Sequence, residues 1–211
     1  MRAADFGSFS VSAANEAAIA LAIPLLWGYN EEKTKDGDSM EFQKEAVICT
    51  PRLKLRALEE ADREDMLNLL THEQVGKTYM VPEFAARAHA IPLFQRLMGI
   101  SQDVSRFFYG IELENRVVGM IHIVDITDGE VELGYAIHPD FWGRGIATEA
   151  LGAAMENLFR AGYETVCAGA FDHNPASMRV MEKCGMVLLD KEEMIPYWGE
   201  DHRCVYYGKR K

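Results

Sequence analysis

The residues whose types and spacing bear most directly on chemistry lie in one stretch of the 211-residue chain, Val131 to Ala161. Gly143 and Gly145 flank Arg144, and after them Ala147, Leu151, Ala154 and Leu158, with Ile146, Ala150 and Met155 beside them, recur on one helical face. A helix entered through two glycines, with no capping side chain in its first turn, leaves several N–H groups pointing forward and approachable. The helix dipole adds partial positive charge at the same place, so a phosphate or diphosphate is the natural occupant. The backbone of Gly143, Gly145, Ile146, Ala147 and Thr148 supplies the candidate donors, and Arg144 the candidate cation. An ordinary strand-turn-helix joint, with glycines for geometry alone, is the competing reading.

Spacing separates the phosphate-binding alternatives. No G-x-x-x-x-G-K-[ST] string occurs, and a dinucleotide fingerprint would need a small residue where Thr148 stands, in a unit near the start of the chain. Trp142-Gly143-Arg144-Gly145-Ile146-Ala147 instead resembles the coenzyme A diphosphate loop of the GNAT acetyltransferase superfamily, [QR]-x-x-G-x-[GA], with Trp142 in place of Gln or Arg. The fuller string WGRGIATEAL is similar to that of the RimJ/RimL-type branch. Asn174-Pro175-Ala176-Ser177 followed by Glu182-Lys183-Cys184-Gly185-Met186 resembles the branch's N-x-x-S-x-x-x-x-E-K-x-G-F helix, and Thr50 to Arg56 its first strand.

The resemblance implies an acetyl-CoA-dependent N-acetyltransferase that moves acetyl directly to a primary amine in a ternary complex, the acceptor being a protein N-terminus or a small amine. A noncatalytic acyl-CoA-binding regulatory module is the alternative. It implies that Asn174 hydrogen-bonds the pantetheine arm or orders the site, although Asn174 also suits the role of helix cap. It places Ser177 near the thioester sulfur, where a hydroxyl can hydrogen-bond a departing thiolate. Backbone N–H groups near Ile137 and His138 are candidate donors to the thioester carbonyl. A protonated amine must lose a proton before it attacks, and Glu132, a carboxylate on the small-residue face of its strand, is the first candidate base. A cross-strand ion pair is its alternative role. His122 and Tyr109 are weaker candidates, and Glu149 recurs in the A-T-E-A string of the family the chain resembles, although the helix dipole explains it as well.

The elements that must position these groups follow from periodicity. Val131, Leu133, Tyr135 and Ile137 alternate with Glu132, Gly134 and Ala136 in a strand ended by Pro139, and Gly162 closes the long helix. Further strands are predicted at Val47 to Leu58, Arg106 to Glu112, Val117 to Val124, Thr165 to Phe171, Met186 to Lys191 and Arg203 to Lys209. Helices are predicted at Glu59 to Leu70, capped by Asp62, at Phe84 to Met98 with a kink or break at Pro92, and at Pro175 to Lys183. Met194 to Gly199 reads as an aromatic loop. Together these give an α/β fold, a mixed and mostly antiparallel central sheet of about seven strands flanked by helices, like that of GNAT proteins.

Composition sets the outer limits. The net charge of −11 (22 basic against 33 acidic residues) argues against nucleic acid as a partner, since counterion release needs a basic face. Asp190, Glu192, Glu193, Glu200 and Asp201 would favour a cationic acceptor, or serve solubility alone. Cys49, Cys167, Cys184 and Cys204 form no C-x-x-C pair and the six histidines no ligand string, so no metal is expected and reduced thiols in a cytoplasmic protein are. Residues 1–39 differ from the rest. Their apolar run, Ala17 to Trp27, is too short to span a membrane and poorly flanked for a signal peptide. They are expected to form an appendage, disordered or a short packed helix, with Met40 an alternative start and residues 40–211 a single domain, monomeric or homodimeric.

Overall fold

The computed structural model describes residues 44–211. The appendage at 1–39 and the alternative start at Met40 therefore lie outside the described residues. In chain order the elements are β1 (Val47–Cys49), β2 (Leu53–Arg56), α1 (Arg63–Leu70), α2 (Glu73–Gly76), α3 (Ile91–Gln102), β3 (Phe108–Leu113), β4 (Arg116–Thr127) and β5 (Glu130–Ile137). They continue with α4 (Ile146–Arg160), β6 (Thr165–Phe171), α5 (Pro175–Lys183), β7 (Val187–Tyr197) and β8 (Glu200–Arg210). The eight strands form one sheet in the order β1-β2-β3-β4-β5-β6-β8-β7. Every neighbouring pair is antiparallel except β5 and β6.

The alternation in β5 holds. Val131, Leu133 and Ile137 enter the core beneath α4, with Ile146, Leu151 and Leu158, while Ala136 enters the opposite core, with Leu67 and Leu70 of α1 and Phe94 and Leu97 of α3. Both faces of the sheet are thus covered. The two turns before β5 are left-handed pairs, Glu114-Asn115 at φ 52° and 63° and Asp128-Gly129 at φ 51° and 79°, whose twist suits tight hairpins.

Several expectations are corrected. The segment Val47 to Leu58 is two strands, because Thr50-Pro51-Arg52 turns the chain. The Thr50 N–H donates to the Leu53 carbonyl (2.9 Å) and the Leu53 N–H to Thr50 Oγ1 (2.9 Å), so Ile48 pairs with Leu55. Asp62 stands at the start of α1 but makes no side-chain cap there; its carboxylate receives two bonds from Arg56, at 2.8 and 2.9 Å, and the Glu59 N–H. Pro92 lies in the first turn of α3, where its missing N–H costs nothing, so the helix begins at Ile91 rather than breaking. The supposed aromatic loop is mostly strand, since β7 runs to Tyr197 and only Trp198-Gly199, at φ 51° and 78°, make the turn.

Arg56 also donates from Nε to Glu112 of β3, which accepts from Lys54 as well. These ion pairs tie β2, β3 and the start of α1 together with little access to water. Truncating Arg56 would leave the nearly buried Asp62 without a cation and Glu112 with Lys54 alone, so Arg56→Leu is expected to lower unfolding stability by about 3 kcal/mol, read by urea denaturation.

Candidate active site

Strands β5 and β6 pair over only three residues, Glu130 with Thr165, Val131 with Val166 and Glu132 with Cys167. Beyond that they part, β6 staying with β8 along its full length and β5 with β4. The wedge between them is a cavity of about 370 Å3. Leu133 to Ile137 line one side, Gly169 and Ala170 the other, and the start of α4, the start of α5 and Val75, Thr78 and Tyr79 complete it.

Gly145 is the first boundary residue of α4, with φ 76° and no side chain capping the helix. Gly143 has φ 71°. Both conformations are costly for residues with a Cβ. Gly143, Gly145, Ile146, Ala147 and Thr148 all border the cavity, so the uncapped helix start opens into it. Arg144 does not line the wall; its guanidinium lies over the Phe141 ring, 5.4 Å from the centroid. Trp142, the departure from the motif, donates its indole N–H to the Ile137 carbonyl at 2.7 Å and so joins the end of β5 to the loop.

The loop has a brace that sequence reasoning missed. Arg52 donates to the Arg144 carbonyl at 3.0 Å and pairs through Nε with Glu149 at 2.6 Å. Glu149 also accepts from the Arg52 N–H (3.0 Å) and from the Thr50 hydroxyl. The carboxyl, held below the usual range despite its burial by its bonds to Thr50 and Arg52, thus clamps the β1–β2 turn to the first turn of α4. This is more than a response to the helix dipole. The signal lay in Thr50 and Arg52 within the first motif, but its partner was 97 residues away.

His138 and Ile137 separate. The His138 N–H is spent on the Val118 carbonyl at 2.8 Å, so it is no donor to a ligand. Ile137 lies opposite Gly119, and the antiparallel alternation then turns the Ile137 N–H away from β4, toward the wedge.

Asn174 caps α5, its Oδ1 accepting from the Ser177 N–H at 3.2 Å, while Nδ2 donates to the Thr78 carbonyl at 3.4 Å. Ser177 and Asn174 both line the cavity. The Ser177 hydroxyl lies 2.7 Å from that of Tyr135, a partner the sequence did not reveal, and burial pushes the Tyr135 phenol up.

Glu132 lies at the last paired position below the wedge and is not part of the cavity wall. Its register partners are Asp125 and Cys167, so neither makes the expected cross-strand ion pair. Burial raises its carboxyl to about 7, against the pull of Lys191. Tyr109 is remote, buried in the α4-side core with its hydroxyl on the Glu45 carbonyl. His122 is buried against Phe108, and its Nε2 meets the Tyr79 hydroxyl. In the acidic hairpin, Glu192 pairs with Arg203 and Glu193 with Lys191, so part of that charge is neutralised. No group of His, Cys, Asp and Glu among the described residues is arranged to hold a metal ion.

The model of the acetyltransferase (GNAT) domain matches residues 52–187. An uncharacterized N-acetyltransferase of Bacillus subtilis, YoaA, is 27% identical over 144 residues, 66% of this chain and 81% of that protein. Among solved structures, RimL, a ribosomal L7/L12 alpha-N-protein acetyltransferase in complex with coenzyme A, superposes with a TM-score of 0.67 at 20% identity, over 78% of this chain and 97% of that one. The microcin C7 self-immunity acetyltransferase MccE, in complex with acetyl-CoA and AMP, gives a TM-score of 0.67 at 16% identity, over 77% and 94%.

A carboxyl that burial raises favours the folded state while protonated, so its contribution falls as pH climbs from the ordinary 4.5 to about 7. Glu132→Gln removes that dependence. The stability of the variant relative to the wild type is expected to rise across this window and level off above it, as measured by denaturation at pH 5, 6, 7 and 8.

Proposed function

Because this chain belongs to the GNAT acetyltransferase family, we propose that it moves the acetyl group of acetyl-CoA directly to a primary amine, a peptide N-terminus or a small amine, with both substrates bound together. The observation that carries this reading is the uncapped start of α4 opening into the wedge beside β5. Amide donors there suit a diphosphate, and the wedge offers an elongated arm the free edge of β5. When bound, acetyl-CoA supplies an activated acyl group.

The chain's own residues would then act as follows. The amine nitrogen bonds to the thioester carbon, and the carbonyl oxygen takes up charge that the Ile137 N–H is turned to receive. The C–S bond breaks with its electron pair on sulfur, and the Ser177 hydroxyl, braced by Tyr135, hydrogen-bonds the thiolate. The proton lost by nitrogen passes through water to Glu132, whose raised pKa suits a base working near neutrality. Arg52 and Glu149 hold the diphosphate loop in shape. Burial pushes the thiols of Cys167 and Cys184 up, which disfavours an acetyl-cysteine intermediate. The four free thiols suit a reducing compartment such as the cytoplasm. A peptide N-terminus is one acceptor to try because RimL, by its name, acts on such a group.

Calorimetric titration with acetyl-CoA, followed by thiol release with N-terminally free hexapeptides, spermidine and an aminoglycoside, tests the reading. Binding and thiol release with at least one amine are expected. Binding without release would mean a noncatalytic acyl-CoA-binding module, and no binding would remove the reading altogether. Gly145→Val and Arg52→Ala are each expected to weaken acetyl-CoA binding about tenfold, roughly 1.4 kcal/mol. In a pH series, kcat should rise through about pH 7, and Glu132→Gln should abolish that limb and lower kcat about a hundredfold.

A further inference from the structure

Tyr79 borders the same cavity as Ser177, and it approaches from the α2 side, on the sheet face opposite α4. Its phenol meets Nε2 of His122. The other ring nitrogen, Nδ1, lies 3.0 Å from the Ile123 carbonyl. A carbonyl only accepts, so Nδ1 carries the hydrogen, and in the neutral ring Nε2 offers a lone pair. Burial keeps the ring neutral, holding its pKa down at about 4. The single hydrogen of the Tyr79 hydroxyl therefore goes to His122. Any other group at this oxygen must be a donor.

The arrangement is fixed from several directions. The His122 ring stacks on Phe108, 5.5 Å between centroids at 14°. Gly134 of β5 leaves the room: a Cβ there would lie 3.2 Å from both His122 Nε2 and the Tyr79 hydroxyl. The backbone carrying Tyr79 is strapped down by the Tyr197 hydroxyl, 2.9 Å from the Gly76 carbonyl and 3.2 Å from the Val81 N–H, and by Asn174 on Thr78.

Resting on the acetyl-transfer reading, we propose that Tyr79, oriented by His122, accepts an N–H hydrogen bond from the acceptor amine and so aims the nitrogen lone pair at the thioester carbon. Tyr79 is then the acceptor-binding residue and His122 a positioning residue behind it. A primary or secondary amine satisfies the site. A tertiary amine, which has no N–H when neutral, does not.

The test uses the full chain, with hexapeptides and spermidine as acceptors and thiol release as the readout. Tyr79→Phe is expected to lower kcat/KM for the amine about tenfold, one neutral hydrogen bond, with the acetyl-CoA KM unchanged and the melting temperature lowered, because the buried His122 Nε2 loses its donor. His122→Leu should reproduce that loss. His122→Gln, whose amide oxygen can replace Nε2 as acceptor, should restore most of it. Turnover by the wild type with kcat/KM of Tyr79→Phe within twofold would overturn this inference alone. Absence of wild-type turnover with every amine would overturn it together with the acetyl-transfer reading. Independently of how the variants fold, nitrogen NMR of the wild type should show His122 as the Nδ1–H tautomer, and the Nε2–H tautomer would overturn the proposal.

Discussion

The separation of β5 from β6 after three paired residues is the constraint on which the rest of the structure depends. A strand inside a sheet ordinarily spends its N–H and C=O groups on both neighbours. From Leu133 onward β5 has a ladder on one side only, and alternate amides face a cavity instead. The wedge thereby leaves unpaired backbone in the middle of a sheet, a row of donors and acceptors that faces the cavity. The entrance to α4 adds a second set of unpaired amides, because Gly143 and Gly145 bend the chain there without a capping side chain.

An opening of this kind must be held open, and the holding groups come from distant parts of the chain. Arg52 and Glu149 brace the loop before α4 from the first hairpin. Tyr197, at the tip of the last hairpin, holds the segment from Gly76 to Val81. Asn174 does double duty, capping α5 and bonding across the mouth to Thr78. Each uses a hydrogen bond to backbone carbonyl or amide groups, which fixes the main chain rather than one rotamer. Preorganisation of this type spares a ligand the cost of ordering loops as it binds.

Electrostatics are organised locally, against the grain of the whole molecule. A chain of net charge −11 repels anions at long range. At contact distance the helix-start amides dominate, since fields from exposed carboxylates are screened within about 8 Å at physiological salt. Glu132, whose carboxyl burial raises, lies at the root of the wedge, where desolvation outweighs Lys191.

Much was legible in the linear chain. Alternation located β5, helical periodicity located α4, Asn174-Pro175 marked the start of α5, and three ordered motifs pointed to the family, because these signals are local in sequence and reflect backbone rules that act over a few residues. Errors arose where a local signal had two outcomes: Asp62 could cap a helix or bind Arg56, Pro92 could break a helix or begin one, and Val47 to Leu58 could be one strand or a hairpin. Only the tertiary structure decided that the His138 N–H is spent on Val118, that Ser177 meets Tyr135, that Glu149 clamps Arg52, and that Tyr79 meets His122. Those pairings join residues up to 97 positions apart. Nothing in the spacing of either partner encodes them, because a hydrogen bond depends on where the sheet and its covering helices bring two atoms.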